Sequence, residues 1–174
     1  MNLNKSLALG VLLLSATSQF AQAEILIGDY KELGDSKVVL DTSTGLEWLN
    51  LTETNFLSVS DVESFGFEGF RVATAEEYER LYHNITDVNY TGRVARNINQ
   101  AEFDAVSEVM GSVSQANGGI YSYGRVDMGE GVYGLSGVYS YKGDYGVRKS
   151  VSEGDSDVKA SHVGVYLVNE GGVS

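Results

Sequence analysis

The chain has 174 residues, of which 12 are Lys or Arg and 24 are Asp or Glu, so its net charge is −12, and it contains no Cys and no Pro. Without cysteine it has neither disulfides nor thiolate ligands for a metal, and the acidic excess argues against binding nucleic acid or another polyanion. Its 21 Gly and 11 Tyr indicate a β-rich protein whose turns are made by Gly, Asn and Asp.

Residues 1–23 predict a signal peptide. Lys5 supplies the positive start, LALGVLLLSA the apolar stretch, and Ala21-Gln22-Ala23 the cleavage site. No segment approaches the roughly 20 apolar residues of a membrane span, so no transmembrane segment is predicted. We therefore expect an exported protein, periplasmic or extracellular, in which residues 24–174 form a single α+β domain with 11 basic and 24 acidic side chains, a net charge of −13.

The first predicted structural unit is a hairpin. SKVVLD and LEWLNL are β-rich runs separated by the turn sequence TSTG. Since side chains alternate along a strand, Leu46 and Trp48 share one face and Glu47 lies on the other. Trp48, the only tryptophan, is therefore predicted to be a core residue.

Capping patterns predict short helices in the middle of the chain. Each pattern has a cap residue and an acidic residue three positions later, followed by an apolar stripe. We predict a helix over residues 59–65, a second that begins at Ala75, and a third that ends at Gly111. The cap and acid pairs are Ser58 and Asp61, Thr74 and Glu77, and Asn99 and Glu102.

From residue 117 onward the sequence predicts strands and turns. The runs GGIYSYGRVDM, GVYGLSGVYSYKG, DYGVRKSV and HVGVYLVNE are separated by Gly-rich turns about ten residues apart, which is typical of an antiparallel meander. The predicted fold class is α+β, with an N-terminal hairpin, two to three short helices and a C-terminal antiparallel meander.

Two motifs carry a resemblance to a known family. DTSTGLEW and GFRVATAEE, with a closing YLV strand, resemble segments of the C-terminal domain of bacterial collagen-like adhesins and of PEP-CTERM-type exported proteins. The second motif is also similar to a segment of formylglycine-generating enzymes, so the resemblance implies a C-type-lectin-like fold. Those enzymes use cysteines, so their activity is not expected here. The matching positions, which the resemblance implies are structural, are Asp41, Thr44, Gly45, Leu46, Trp48, Gly69, Arg71, Thr74 and Glu77.

Several charged residues are candidates for functional sites, but their sequence contexts favour structural roles. Arg71 is expected to pair with Asp41 or Glu47. The two histidines lie far apart in sequence, so we expect His83 to contact the end of its helix and His162 to lie on the surface. EGDSDVK offers alternating carboxylates to calcium, but it lacks the twelve-residue calcium loop, so a solvated acidic turn is favoured over a metal site. Its carboxylates are Glu153, Asp155 and Asp157.

Tyrosines supply the candidate ligand-binding residues. Tyr121, Tyr123 and Arg125 share one face of a predicted strand, and Tyr133, Tyr139 and Tyr141 share a face of the next. Tyr145 follows after the turn. Such rings stack on sugars or anchor a protein partner. The alternative is that they pack beneath the helices, because tyrosine is often half-buried.

These patterns predict an exported, non-catalytic binding or surface-interaction domain. The adhesins bind glycosaminoglycans through a positive surface, so at −13 we expect a neutral or cation-bridged glycan, or a protein, as ligand, and no cofactor other than calcium. Two alternatives stay open: a secreted hydrolase that uses paired carboxylates in a cleft, and a structural protein of an envelope or matrix.

Overall fold

The computed structural model describes residues 24–90, 96–150 and 159–170, with the backbone alone for Lys149 and Ser150. The predicted signal peptide and the carboxylates of Glu153, Asp155 and Asp157 lie outside the described residues. Within the described ranges, three helices and two sheets confirm the α+β class. None of the described helices is long and apolar enough to cross a bilayer.

The helices and strands have the following bounds. The helices are α1 (Val59–Phe65), α2 (Ala75–Thr86) and α3 (Gln100–Met110), and a 3-10 turn spans Leu51–Glu53. The strands are β1 (Ile25–Gly28), β2 (Val38–Asp41), β3 (Leu46–Leu49), β4 (Arg71–Val72), β5 (Arg96–Asn97), β6 (Val113–Ser114), β7 (Ile120–Asp127), β8 (Tyr133–Tyr141), β9 (Asp144–Ser150), β10 (Val163–Val165) and β11 (Leu167–Asn169).

All three predicted helix starts are confirmed. At α2 the Glu77 N–H donates to the Thr74 hydroxyl (3.2 Å), and the Thr74 N–H donates to the Glu77 carboxylate (2.7 Å). Reciprocal bonds of this kind also begin α1 and α3. Because a helix leaves its first N–H groups without partners inside the helix, these caps locate the starts locally.

Two sheets enclose the main core. The first has five strands in the antiparallel order β1-β2-β3-β11-β4, which includes the predicted β2–β3 hairpin. The second has six, in the order β10-β7-β8-β9-β5 with β6 beside β7, and β7–β9 form the predicted meander. Trp48 is 0% exposed and joins side chains of both sheets and of α2 and α3 in one cluster, so its predicted core position is confirmed.

The last run of the sequence differs from the prediction. HVGVYLVNE was expected to be one strand of an antiparallel meander, but it divides at Tyr166 into two short strands. β10 pairs in parallel with β7, whereas β11 joins the first sheet between β3 and β4. An apolar β-rich run indicates a strand but does not specify its partner, which packing decides.

A second, smaller core lies on the other side of the first sheet. It is made by Leu49, Val59, Val62, Val165 and Leu167. α1 therefore covers the face of the sheet that points away from the main core. As a result, both Trp48 and its neighbour Leu49 are fully buried although they point to opposite faces.

We expect Trp48→Ala to lower the free energy of unfolding by about 3–5 kcal/mol, because a large side chain is lost from the core and a cavity is left. Chemical denaturation measures this change. Leu33→Ala is the control: Leu33 is 100% exposed, so its loss should change stability by less than about 0.5 kcal/mol. Equal effects of the two substitutions would contradict the core position of Trp48.

Thr74→Ala should lower the free energy of unfolding by about 0.5–2 kcal/mol, because the cap of α2 is lost. Thr74→Ser keeps a hydroxyl at the same place and should recover most of that loss. Thermal and denaturant unfolding of both variants decide the point. If serine is as destabilising as alanine, the hydroxyl bond to Glu77 does not stabilise the helix.

Candidate functional site

Four of the candidate tyrosines lie together on the outer face of the six-stranded sheet. Tyr121 stands directly opposite Tyr139 in the β7–β8 register, with Tyr123 and Tyr141 two residues further along their strands on the same face. The opposite face carries Val126, Val138 and Val147 into the main core. The four tyrosines therefore point away from α2 and α3, and we call them the tyrosine face.

Glycine allows three of these rings to lie flat on the sheet. A Cβ on Gly146 would overlap the ring of Tyr139, and a Cβ on Gly119 would come within 2.5 Å of the ring of Tyr121. Tyr123 is likewise 2.8 Å from where a Cβ of Gly137 would stand. Aromatic rings that cover strand glycines recover packing that glycine cannot supply. The result is a broad, low aromatic surface.

The tyrosine face encloses an open depression of about 520 Å³ together with Arg148 and His162. The imidazole of His162 packs on Tyr121 with ring centres 4.8 Å apart, and Tyr123 lies 5.4 Å from Tyr121 and 6.1 Å from Tyr139. The rings of Tyr121, Tyr123, Tyr139 and His162 are thereby held by one another, so this part of the surface is formed before any ligand binds.

Polar groups around the depression are available to a ligand. Within the described residues, the hydroxyls of Tyr121, Tyr139 and Tyr141 make no hydrogen bond, and Arg148 makes no ion pair. Burial raises the pKa of Tyr123 above its usual value, although nearby Arg148 opposes this, so the phenol is neutral at physiological pH. Hydroxyls and a guanidinium offer hydrogen bonds at the edge of an apolar floor.

The other candidate residues lie elsewhere. Arg125 shares the face of Tyr123 but is 6% exposed and does not line the depression. Tyr133 lies on the same face as Tyr139 but packs on the second core and donates a 3.4 Å hydrogen bond to Glu63. Tyr145 points to the helix side, where its ring packs on Phe103 of α3 at 5.5 Å. For Tyr145 the alternative of packing beneath the helices is therefore confirmed.

Two residues of the site were not predicted from the sequence. Arg148 was not singled out, and His162 was expected to be an isolated surface residue. The signal for Arg148 was present, because it stands two residues after Gly146 on β9 and so shares the face of Tyr139. His162 gave no such signal, since it reaches Tyr121 only because β10 pairs in parallel with β7.

The predicted partners of Arg71 are wrong. Its guanidinium pairs with Glu77 at 2.7 Å and with Glu170 at 3.2 Å, and so ties β4 to α2 and to the end of β11. Asp41 instead accepts hydrogen bonds from Ser43 and Asn84. The structural role predicted for Arg71 remains, because its donors are used within the domain.

A second groove, along α2, is lined by two carboxylates and a histidine, and it is where the hydrolase alternative can be examined. His83 lies in the last turn of α2 as predicted, and it lines the groove of about 390 Å³ with Glu76, Glu79, Arg80 and Tyr90. A catalytic carboxyl pair requires one raised pKa. Where a carboxyl pKa departs from its usual value in the described residues it is lowered, at Asp35, Asp61, Glu77 and Glu102.

Ion pairs and hydrogen bonds within the domain cause these lowered pKa values. The ammonium of Lys159 lowers the pKa of Asp61 to about 2, and Arg71 lowers that of Glu77. At Glu102 burial alone would raise the pKa, but bonds from Arg96 and Tyr82 outweigh it. These carboxylates are held ionised within the fold.

Comparison with known proteins gives no further assignment. No known protein family, curated protein or solved structure matches the chain. Among the described residues, no group of three or more His, Asp or Glu is placed to hold a metal ion. The tyrosine depression combines mutually packed aromatic rings with polar groups at its edge, and we therefore treat it as the candidate ligand site.

Gly146→Ala should displace the ring of Tyr139, because the added methyl occupies the position of that ring. We expect a changed near-ultraviolet circular dichroism spectrum with the far-ultraviolet spectrum retained. Gly28→Ala is the control, since a Cβ there meets nothing within 4 Å. An unchanged tyrosine signal in Gly146→Ala would contradict the flat packing of Tyr139.

Proposed function

We propose that this chain is an exported binding domain that takes a glycan in the tyrosine depression. The observation that carries the proposal is the set of rings of Tyr121, Tyr123 and Tyr139, which lie low over glycine backbone on the outer face of the sheet. Sugar rings present flat C–H surfaces that pack on aromatic faces, and their hydroxyls require hydrogen-bond partners at the edge. Export rests on the sequence of residues 1–23.

The polar groups favour a sugar over an apolar ligand. Tyrosine hydroxyls both donate and accept hydrogen bonds, and Arg148 donates from a planar guanidinium. Neighbouring Lys142, whose ammonium lies 5.1 Å from the ring centre of Tyr141, brings a second cation to this end of the sheet. These two cations make calcium bridging unnecessary for a sugar that carries a carboxylate, and they do not oppose a neutral one.

The test is a glycan array probed with residues 24–174, with and without calcium. Replacing Tyr121 and Tyr141 together with Ser should weaken binding about tenfold or more, because each stacked ring contributes about 0.5–1.5 kcal/mol beyond its buried area. Phe56→Ser is the control, since Phe56 is 54% exposed and lies outside the depression.

Thermal unfolding separates loss of binding from loss of fold. Both substituted tyrosines are half-buried, so the double variant should stay folded with a modestly lowered melting temperature. Tyr123 is unsuitable for this test because it is 6% exposed and its loss would disturb packing. A folded double variant that binds the same glycans as the parent chain would refute the site.

A further inference from the structure

A second aromatic hollow lies against the second core. It has a volume of about 630 Å³ and is lined by the rings of Tyr30, Phe65 and Phe67, with Lys31 and Glu68 at its edge. Phe65 is 66% exposed, although it is a large apolar side chain. Tyr30 and Phe67 pack on the second core, so the floor of the hollow is fixed to the domain.

The carboxylate of Asp35 bonds the backbone of the loop that carries Tyr30. Asp35 accepts hydrogen bonds from the backbone N–H groups of Tyr30 (2.9 Å), Lys31 (3.1 Å) and Lys37 (3.1 Å). The ring of Tyr30 also packs edge-on against Phe70 at 5.7 Å. The aromatic wall is therefore preorganised, which lowers the entropic cost of binding a ligand.

The ammonium group of Lys31 already lies against two of these rings. The Nζ atom of Lys31 lies 4.8 Å from the ring centre of Tyr30 and 5.9 Å from that of Phe67. Within the described residues this ammonium forms no hydrogen bond or ion pair with a carboxylate. The ammonium instead contacts the faces of the two rings, which carry the negative part of the aromatic quadrupole.

The negative charge of Glu68 and of the chain as a whole favours a cation in this hollow. Glu68 lines the hollow, and the chain as a whole carries −12. A site with aromatic walls, an acidic edge and an ammonium already seated on it has the chemistry that recognises alkylated ammonium ions. Quaternary ammonium is weakly hydrated, so it leaves water for such walls more easily than the primary ammonium of Lys31.

We propose that the hollow formed by Tyr30, Phe65 and Phe67 binds a small quaternary ammonium compound, which displaces the side chain of Lys31. The side chain of Lys31 therefore competes with the ligand for the faces of the rings. This site is separate from the tyrosine depression and does not depend on the glycan proposal.

The experiment is a titration of ¹⁵N-labelled residues 24–174 with choline chloride, followed by amide chemical shifts against sodium chloride of equal ionic strength. We expect saturable shifts in the 29–37 loop and at residues 65–68. The neutral compound 3,3-dimethyl-1-butanol has the shape of choline without its charge, and it should bind about tenfold more weakly or not at all. Equal binding of the two compounds would overturn the proposal.

Two lysine substitutions test the displacement. Lys31→Ala should tighten choline binding about threefold or more, because the apparent affinity of a site rises when a competing occupant is removed. Lys37→Ala is the matched control: it makes the same change of charge in the same loop, but its ammonium contacts Thr52 and Glu53 instead of the rings. If the two variants bind equally, or if Lys31→Ala shows no binding, the proposal is wrong.

Substitution of Phe67 tests whether the aromatic rings bind the ligand. Phe67→Leu keeps an apolar side chain against the second core but removes a ring face, so in the Lys31→Ala background it should weaken choline binding about fivefold or more. Unaltered binding in this folded variant would exclude the rings as the binding surface. A peptide carrying trimethyl-lysine that binds much more tightly than choline would overturn the assignment to a small compound in favour of a protein partner.

Discussion

The two sheets are joined at Tyr166, where the last run of the chain passes from β10 to β11. Its N–H donates to the Arg125 carbonyl of β7, its carbonyl accepts from Ala73 next to β4, and its hydroxyl donates to the Ser122 carbonyl. Its ring lies 6.4 Å from Trp48. Tyr166 is 0% exposed, so these bonds are made away from water, where an unmade bond would be costly.

This junction has a consequence for the outer face of the second sheet. Since Tyr166 fills the space above Gly124 on the inner face, β10 is fixed beside β7 in one register. That register sets His162 against Tyr121 on the other side of the sheet. The main core therefore positions a surface site to which it contributes no side chain.

Glycine and aromatic residues are distributed in a complementary way over the molecule. Glycines lie beneath the rings of Tyr121, Tyr139 and Tyr166, so each ring approaches the backbone more closely than a residue with a Cβ would allow. On the inner face such a pair closes the core, whereas on the outer face it leaves a low aromatic floor. The same packing rule thus produces both stability and the tyrosine depression.

Features that depend on near neighbours could be predicted from the amino-acid sequence. Capping boxes located the three helix starts, alternation assigned Trp48 to the core, and turn residues defined the hairpin and the meander. Features that join distant segments could not be predicted in this way. They are the division of the last run at Tyr166, the partners of Arg71, the inward direction of Tyr145, and the position of His162 beside Tyr121. Local patterns fix backbone conformation and side-chain direction within one element. Which elements meet depends on how much apolar surface the whole chain buries, and no short segment carries that information.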